Sequence, residues 1–385
     1  NHAHMSVVSF ASQVSLVRVD YPHAWPEVFP LLLGTLGNGH VSIDLFLRVL
    51  NALNDEVVVN EEGNGYDSEV AARVKDGMRE RCLPQLADAW LSILQLHESA
   101  PAVAAACLHT VSLYVPWIPI ALVANPAWLA LLQPFLHKPQ LHDGACAVLM
   151  EIVVKRMEPV VKMEHLQQVR AVAMLSDIAS SGVAISTPLA TLVSALAVEL
   201  LDCWDRLAAT SPPTPQSEML VNAAVEMLSA AFPLLLSCFA SEEMETSQST
   251  LSFLHSYIGR LRKLLPSPKA LEAHQTHLQH LLIVMGRKSV HPEEFDFDAP
   301  DEAEESFTAY RRELSTLFKG VARVHAGLAQ EFVRSTLVPT LESLSTAPWA
   351  HVEVALWLLY TLGEGLPEAT LREKDGYFPS LMVHL

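Results

Sequence analysis

Residues Ser186 to Ala240 read STPLATLVSALAVELLDCWDRLAATSPPTPQSEMLVNAAVEMLSAAFPLLLSCFA. Apolar residues recur at three- and four-residue spacing on both sides of Ser211-Pro212-Pro213-Thr214-Pro215, and that Pro-rich run cannot continue a helix. The stretch therefore predicts two helices, 186–209 and 216–239, joined by a stiff linker over 210–217. The apolar run from Met219 is interrupted by Asn222, Glu226 and Pro233, so it predicts a core helix rather than a membrane span.

Outward from this pair the chain continues as helix after helix. Candidates fall at 5–19, 26–36, 40–54, 67–96, 101–115, 126–137, 140–156, 160–180, 246–265, 268–286, 303–325, 328–345 and 350–365. Asn125-Pro126 and Ala347-Pro348 place proline where a helix begins. Gly is scarce at 15 residues and no Val/Ile/Thr alternation occurs, which argues against a large sheet. Taken in pairs, the helices begin near 40, 101, 140, 186, 246, 303 and 349, a period within the HEAT and armadillo range. The predicted fold is all-α: a HEAT-repeat solenoid over 1–385, a superhelical arch of antiparallel helix pairs. Second helices at 67–96, 126–137, 160–180, 216–239 and 268–286 are expected to line its concave side. Acidic inserts near 54–69 and 290–305 interrupt the pairs.

The composition limits what the chain can do. Against 25 Lys and Arg stand 43 Asp and Glu, a net charge of −18. That sign disfavours a general nucleic-acid binder and leaves phosphate contacts to local patches. The five cysteines (Cys82, Cys107, Cys146, Cys203, Cys238) are scattered in apolar helical contexts without a C-x-x-C, so they predict core thiols in a reducing compartment. A first residue of Asn and an abrupt end at Leu385 suggest a fragment of a longer protein. No Walker, nucleophile-elbow, zincin or Rossmann pattern is present, so no enzyme and no cofactor are expected. His274, His277 and His280 have partial metal-ligand spacing, but no further ligand follows; a solvated polar face is the simpler reading. His137 and His142 are a weaker pair.

Charge is concentrated in a few places. Val290 to Tyr310 holds eight carboxylates and no Lys or Arg before its end, with Phe295 and Phe297 among them. Like charges at this density need a cation or a basic partner, so the segment is expected to be exposed and loosely ordered. Arg287 and Lys288, just upstream, are candidates to hold it. Basic clusters occur at Lys155, Arg156 and Lys162, at Arg260, Arg262, Lys263 and Lys269, and at Arg311, Arg312, Lys319 and Arg323. On an arch, such clusters can follow a phosphate backbone without reading bases. Trp25 and Phe29 are expected to anchor the turn at 21–29.

Several motifs carry a resemblance. Asp20-Tyr21-Pro22 with Trp25-Pro26 resembles the third-repeat turn of importin-β-superfamily receptors. Lys75 to Pro84, Tyr114 to Ile118, Glu151 to Pro159 with Lys162-Met163, Glu293 to Asp298 followed by Tyr310-Arg311-Arg312, and Val352 to Ala355 resemble, in order, segments of the exportin-T family. These are exportins for transfer RNA. The resemblance implies a receptor that binds mature tRNA cooperatively with Ran in its GTP form, passes nuclear pore proteins without membrane insertion, and shuttles between nucleus and cytoplasm. It suggests Lys155, Arg156, Lys162, Arg311 and Arg312 as tRNA-binding residues. Lys75, Arg79, Glu293, Glu294, Asp296 and Asp298 are its Ran-binding candidates. The alternative is a HEAT-repeat protein–protein scaffold with no RNA role.

Overall fold

The computed structural model describes residues 14–58, 65–292, 294–297 and 301–367; the side chains of 57, 58 and 65–67 are not among those described. Glu293, Asp298, residues 5–13 of the first expected helix and 59–64 of the first acidic insert lie outside this set. No strand occurs among the described residues. The chain forms two compact units, residues 1–183 and 184–385.

In the first unit a short helix, α1 (14–20), leads into α2 (Val28–Gly34) through the turn expected to rest on Trp25. Phe29 is buried as expected, but its partner is Tyr21, buried and edge-on to it at 5.0 Å, while Trp25 is only half-buried. Gly77 permits this: a Cβ there would lie 2.9 Å from the Tyr21 ring. The helices α3 (His40–Leu53), α6 (Pro101–Tyr114) and α8 (His142–Val154) lie side by side, with α6 touching both others. Tyr114 reaches across this row to donate its hydroxyl proton to the Leu50 carbonyl at 2.8 Å. Their partners are α4 (Gly65–Arg81) with α5 (Leu83–Leu94), α7 (Pro126–Phe135), and α9 (Pro159–Gln168) with α10 (Ala171–Ser181). Asn125 caps α7 by accepting from the amides of Ala127 and Trp128, and Pro126 follows at the position where no amide is needed.

Two helices expected to be continuous are broken. The stretch 67–96 stops at Cys82, just before Pro84. The stretch 160–180 breaks where Arg170 takes a left-handed backbone, φ 51°.

The second unit shows the pairing most clearly. The helices α11 (Thr187–Ala208) and α12 (Pro215–Phe239) pack along their length, separated by the Pro-rich linker, whose Thr214 closes a capping box with Ser217. Both are long and apolar enough to cross a membrane; in this fold α11 buries most of its apolar face among neighbouring helices. After α13 (Met244–Gln248), the first helices α14 (Leu251–Arg262), α17 (Glu302–Val324) and α19 (Trp349–Gly365) continue the row begun by α11. The second helices α16 (Gln275–Lys288) and α18 (Ala326–Glu342) extend the row begun by α12. A short α15 (Pro268–Glu272) replaces the first turn of the expected 268–286 helix, because the backbone turns at Ala273 and His274. The result is a two-layer stack of helix pairs, each touching mainly its neighbours, as a HEAT array requires.

Candidate functional site

Three of the five expected phosphate-binding cations are committed inside the protein. Lys155 follows the last turn of α8, and its ammonium donates to the carbonyls of Val115, Pro116 and Ile118 at 2.7, 2.7 and 2.9 Å. An ammonium has three protons, and each has an acceptor here. Burial, and then the nearby Arg79, lower the Lys155 pKa, while Glu151 opposes them. Lys162 is 2% exposed and donates to the carbonyls of Val153 and Lys155, at 2.7 and 2.5 Å. Carbonyls at helix ends carry partial negative charge, so both lysines act as caps. Lys162 is therefore corrected from a phosphate contact to a core group, and Lys155 to a turn clasp.

Arg79 holds the same turn from the other side. It donates to the Trp117 carbonyl at 3.2 Å, lies 5.6 Å from the centre of the Trp117 ring, and pairs with Asp76 at 2.7 Å. Lys75 is half-buried on the same helix. Arg156 is exposed and has no ion pair among the described residues.

Arg311 is likewise internal. Only 8% exposed, it pairs with Glu353 at 2.6 Å, contacts Nε2 of His291, and stacks 4.6 Å from the Trp357 ring centre. Burial first, then Arg311, lowers the His291 pKa. The neighbouring Arg312 points to solvent.

The described part of the acidic segment makes contacts within the chain. His291 gathers Phe295, Phe297, Phe307 and Trp349 within ring-centroid distances of 4.4 to 6.0 Å. Glu304 accepts from the amides of Asp296 and Asp301 at 2.7 and 2.8 Å, and Asp301 accepts from the Glu304 amide in return. Two of the eight carboxylates thus cap α17, at the positive end of its dipole. Glu294 and Asp296 remain exposed. Lys288 does not hold this segment: it bonds the Ser241 carbonyl and lies over the Tyr310 ring.

A cluster that the sequence presented as a solvated polar face is largely buried. Nδ1 of His274 and Nδ1 of His277 lie 3.0 and 2.9 Å from the Tyr257 hydroxyl. That hydroxyl has one proton, so it donates to one imidazole and accepts from the other, fixing complementary tautomers. His277 stacks on Phe232 at 4.0 Å, and burial, with His274 and His280 adding to it, pushes its pKa down to about 4. His274 stacks on Trp204, against which Arg260 also packs. No group of three His, Cys, Asp or Glu side chains placed to hold a metal occurs among the described residues. His142 bonds the Leu136 carbonyl, and His137 bonds Ser181. The histidine spacing marked the cluster in the sequence, but not its burial against Tyr257 and Phe232.

Comparison with known proteins bears on what this stack is for. A family model described as Exportin 1-like protein matches residues 11–149, and one described as Exportin-T matches residues 218–378. Exportin-T of Arabidopsis thaliana is 30% identical, over 96% of this chain and 38% of its own length. Exportin-T of Danio rerio is 30% identical over 91% and 36%, and that of Oryza sativa subsp. japonica 31% over 96% and 37%. The chain belongs to the exportin-T family. It spans between 36% and 38% of the length of these exportin-T relatives. A solved structure titled "Importin13 cytosolic state" superposes with a TM-score of 0.72 at 16% identity, covering 97% of this chain and 45% of that one. At that identity it supports the HEAT-repeat solenoid class. The exportin-T match includes Tyr310, Arg311 and Glu353, whose roles here are structural.

Proposed function

We propose that this chain forms part of a nuclear export receptor that binds mature tRNA together with Ran in its GTP form and shuttles between nucleus and cytoplasm. The observation that carries this reading is the exportin-T match over 218–378, alongside relatives aligned over more than nine-tenths of the chain. The receptor passes nuclear pore proteins, inserts into no membrane and catalyses no reaction. Among the sequence candidates, Arg156 and Arg312 are the cations left free for phosphate. Lys75, Arg79, Glu294 and Asp296 stay with the Ran surface, as do Glu293 and Asp298.

Physically, a chain carrying −18 repels a polyanion, so a second ligand that favours the same conformation raises tRNA affinity, and reciprocally. Fluorescence anisotropy with labelled tRNA, with and without Ran–GTP, tests this on the full-length receptor. Mutual enhancement is expected. Equal tRNA affinity in both conditions would remove the cooperative reading. The internal roles of Lys155, Lys162 and Arg311 give weight to a second reading, a protein scaffold with no RNA role, for which no tRNA binding is expected at all.

A further inference from the structure

Two adjoining grooves flank α16 in the second unit. One, of about 470 Å³, lies toward α12; the other, of about 230 Å³, lies toward α18 and α19; Ile283 and Arg287 line both. Thr276, His280, Ile283 and Arg287 fall at steps of four, three and four residues, a single stripe along the exposed side of α16. The stripe is about 16 Å long at the helical rise. Its walls are mostly apolar, with Leu236 and Phe232 on one side and Phe332 on the other, and His277, His280 and His351 are among the polar residues of the lining. Gly286 sets the depth of the second groove, because a Cβ there would lie 2.8 Å from the Phe332 ring.

The charge is as distinctive as the shape. No Asp or Glu lines either groove, although the chain carries 43 of them. Arg287 is exposed and has no ion pair among the described residues. Ile283, one turn before it, is 39% exposed, a large aliphatic side chain left at the centre of the stripe. Two adjoining carboxylate-free, mostly apolar grooves that share one arginine complement an apolar segment that carries an acidic side chain.

We infer that this face of α16 is a docking site for an amphipathic helical segment of a partner protein, with an Asp or Glu seated against Arg287. Three turns of helix match the stripe, and apolar anchors at i, i+3/i+4 and i+7 match the grooves beside it. The charge supplies register and the apolar contacts supply most of the affinity. A nucleic acid fits less well, since a phosphate chain needs several cations and the lining supplies one arginine. This partner is additional to tRNA and Ran–GTP, and the inference does not depend on either.

The probe is a fluorescein-labelled amphipathic peptide of Leu, Ala and Gln with one Glu beside its apolar stripe. It is titrated against the 385-residue chain beside a Glu→Lys counterpart and a single-stranded oligouridylate. The acidic peptide should bind and the lysine peptide should not. Arg287→Glu should weaken the acidic peptide about tenfold or more and allow the lysine peptide to bind. Ile283→Asp should weaken both pairings; both positions are exposed, and unchanged helical circular dichroism and melting will show that the variants fold. An acidic peptide that does not bind, or whose affinity Arg287→Glu leaves unchanged, overturns the inference. So does an oligouridylate that binds and loses affinity with Arg287→Glu, because the groove would then be a nucleic-acid contact.

Discussion

Removing the ammonium of Lys162 would leave the carbonyls of Val153 and Lys155 without that donor, in a site almost closed to water. Lys162→Met is expected to lower the unfolding free energy by about 1–3 kcal/mol, the cost of unsatisfied buried acceptors. Arg156→Ala, six positions before Lys162 but in solvent, should stay within about 0.5 kcal/mol. Urea unfolding of the two variants side by side checks both. Arg311 should show the reverse asymmetry of a buried pair: Arg311→Met strands Glu353 and should cost about 3 kcal/mol, the lower end of the range because Glu353 is one-third exposed. Arg311→Met with Glu353→Leu should recover part of that loss. Acid should act through His277. Its folded pKa of about 4 lies below the ordinary imidazole value, so between those values the unfolded chain binds more protons than the folded one. Stability conferred by the neutral imidazole is therefore present above about pH 6.5 and lost as pH falls toward 4. The melting temperature of wild type should drop over this window by more than that of His277→Asn.

At the scale of the helices, glycines mark where rows approach most closely. A Cβ on Gly144 of α8 would sit 2.8 Å from Cβ of Leu108 on α6, an atom fixed by its backbone. The corresponding clash at Gly286 is with the far edge of the Phe332 ring, which can swing. Alanine gains about 1 kcal/mol over glycine in a helix, and overpacking costs about 1–3. Gly144→Ala should therefore destabilise by about 1 kcal/mol, and Gly286→Ala should be close to neutral in thermal melts. The helix order and the capped starts at Asn125 and Thr214 were legible in the sequence because proline and side-chain caps act locally. The breaks at Arg170 and His274 were not, since nothing in the flanking residues requires a left-handed or turned backbone there. The buried Tyr257–His274–His277 contact was hidden for the same reason: the break at His274 brings the two imidazoles to one hydroxyl. Lys155, Lys162 and Arg311 looked like surface cations because a sequence does not show which carbonyls or carboxylates the packed helices will leave in need of a donor.

Over the whole molecule, those internal cations change what the charge can do for RNA. Each phosphate contact made by a cation releases counterions and steepens the fall of affinity with salt, by about 0.9 in the log–log slope for a duplex and 0.7 for a single strand. All three protons of Lys155 have carbonyl acceptors, and Lys162 is buried against two more carbonyls, so neither meets a phosphate unless the turn at 115–118 or the end of α8 opens. Arg156 and Arg312 carry no such commitment among the described residues. If the receptor binds tRNA in the proposed way, Arg156→Ala with Arg312→Ala in the full-length protein should flatten the salt slope by about 1.4 to 1.8. Lys155→Gln should weaken the fold and leave the slope unchanged, since no counterion is released at that position. Anisotropy titrations of labelled tRNA with Ran–GTP, between low and moderate salt, separate the two effects. A slope that falls with Lys155→Gln and not with the arginine pair would mean that tRNA opens the carbonyl clasp and takes its lysine, and the internal role would then belong to the unliganded state alone.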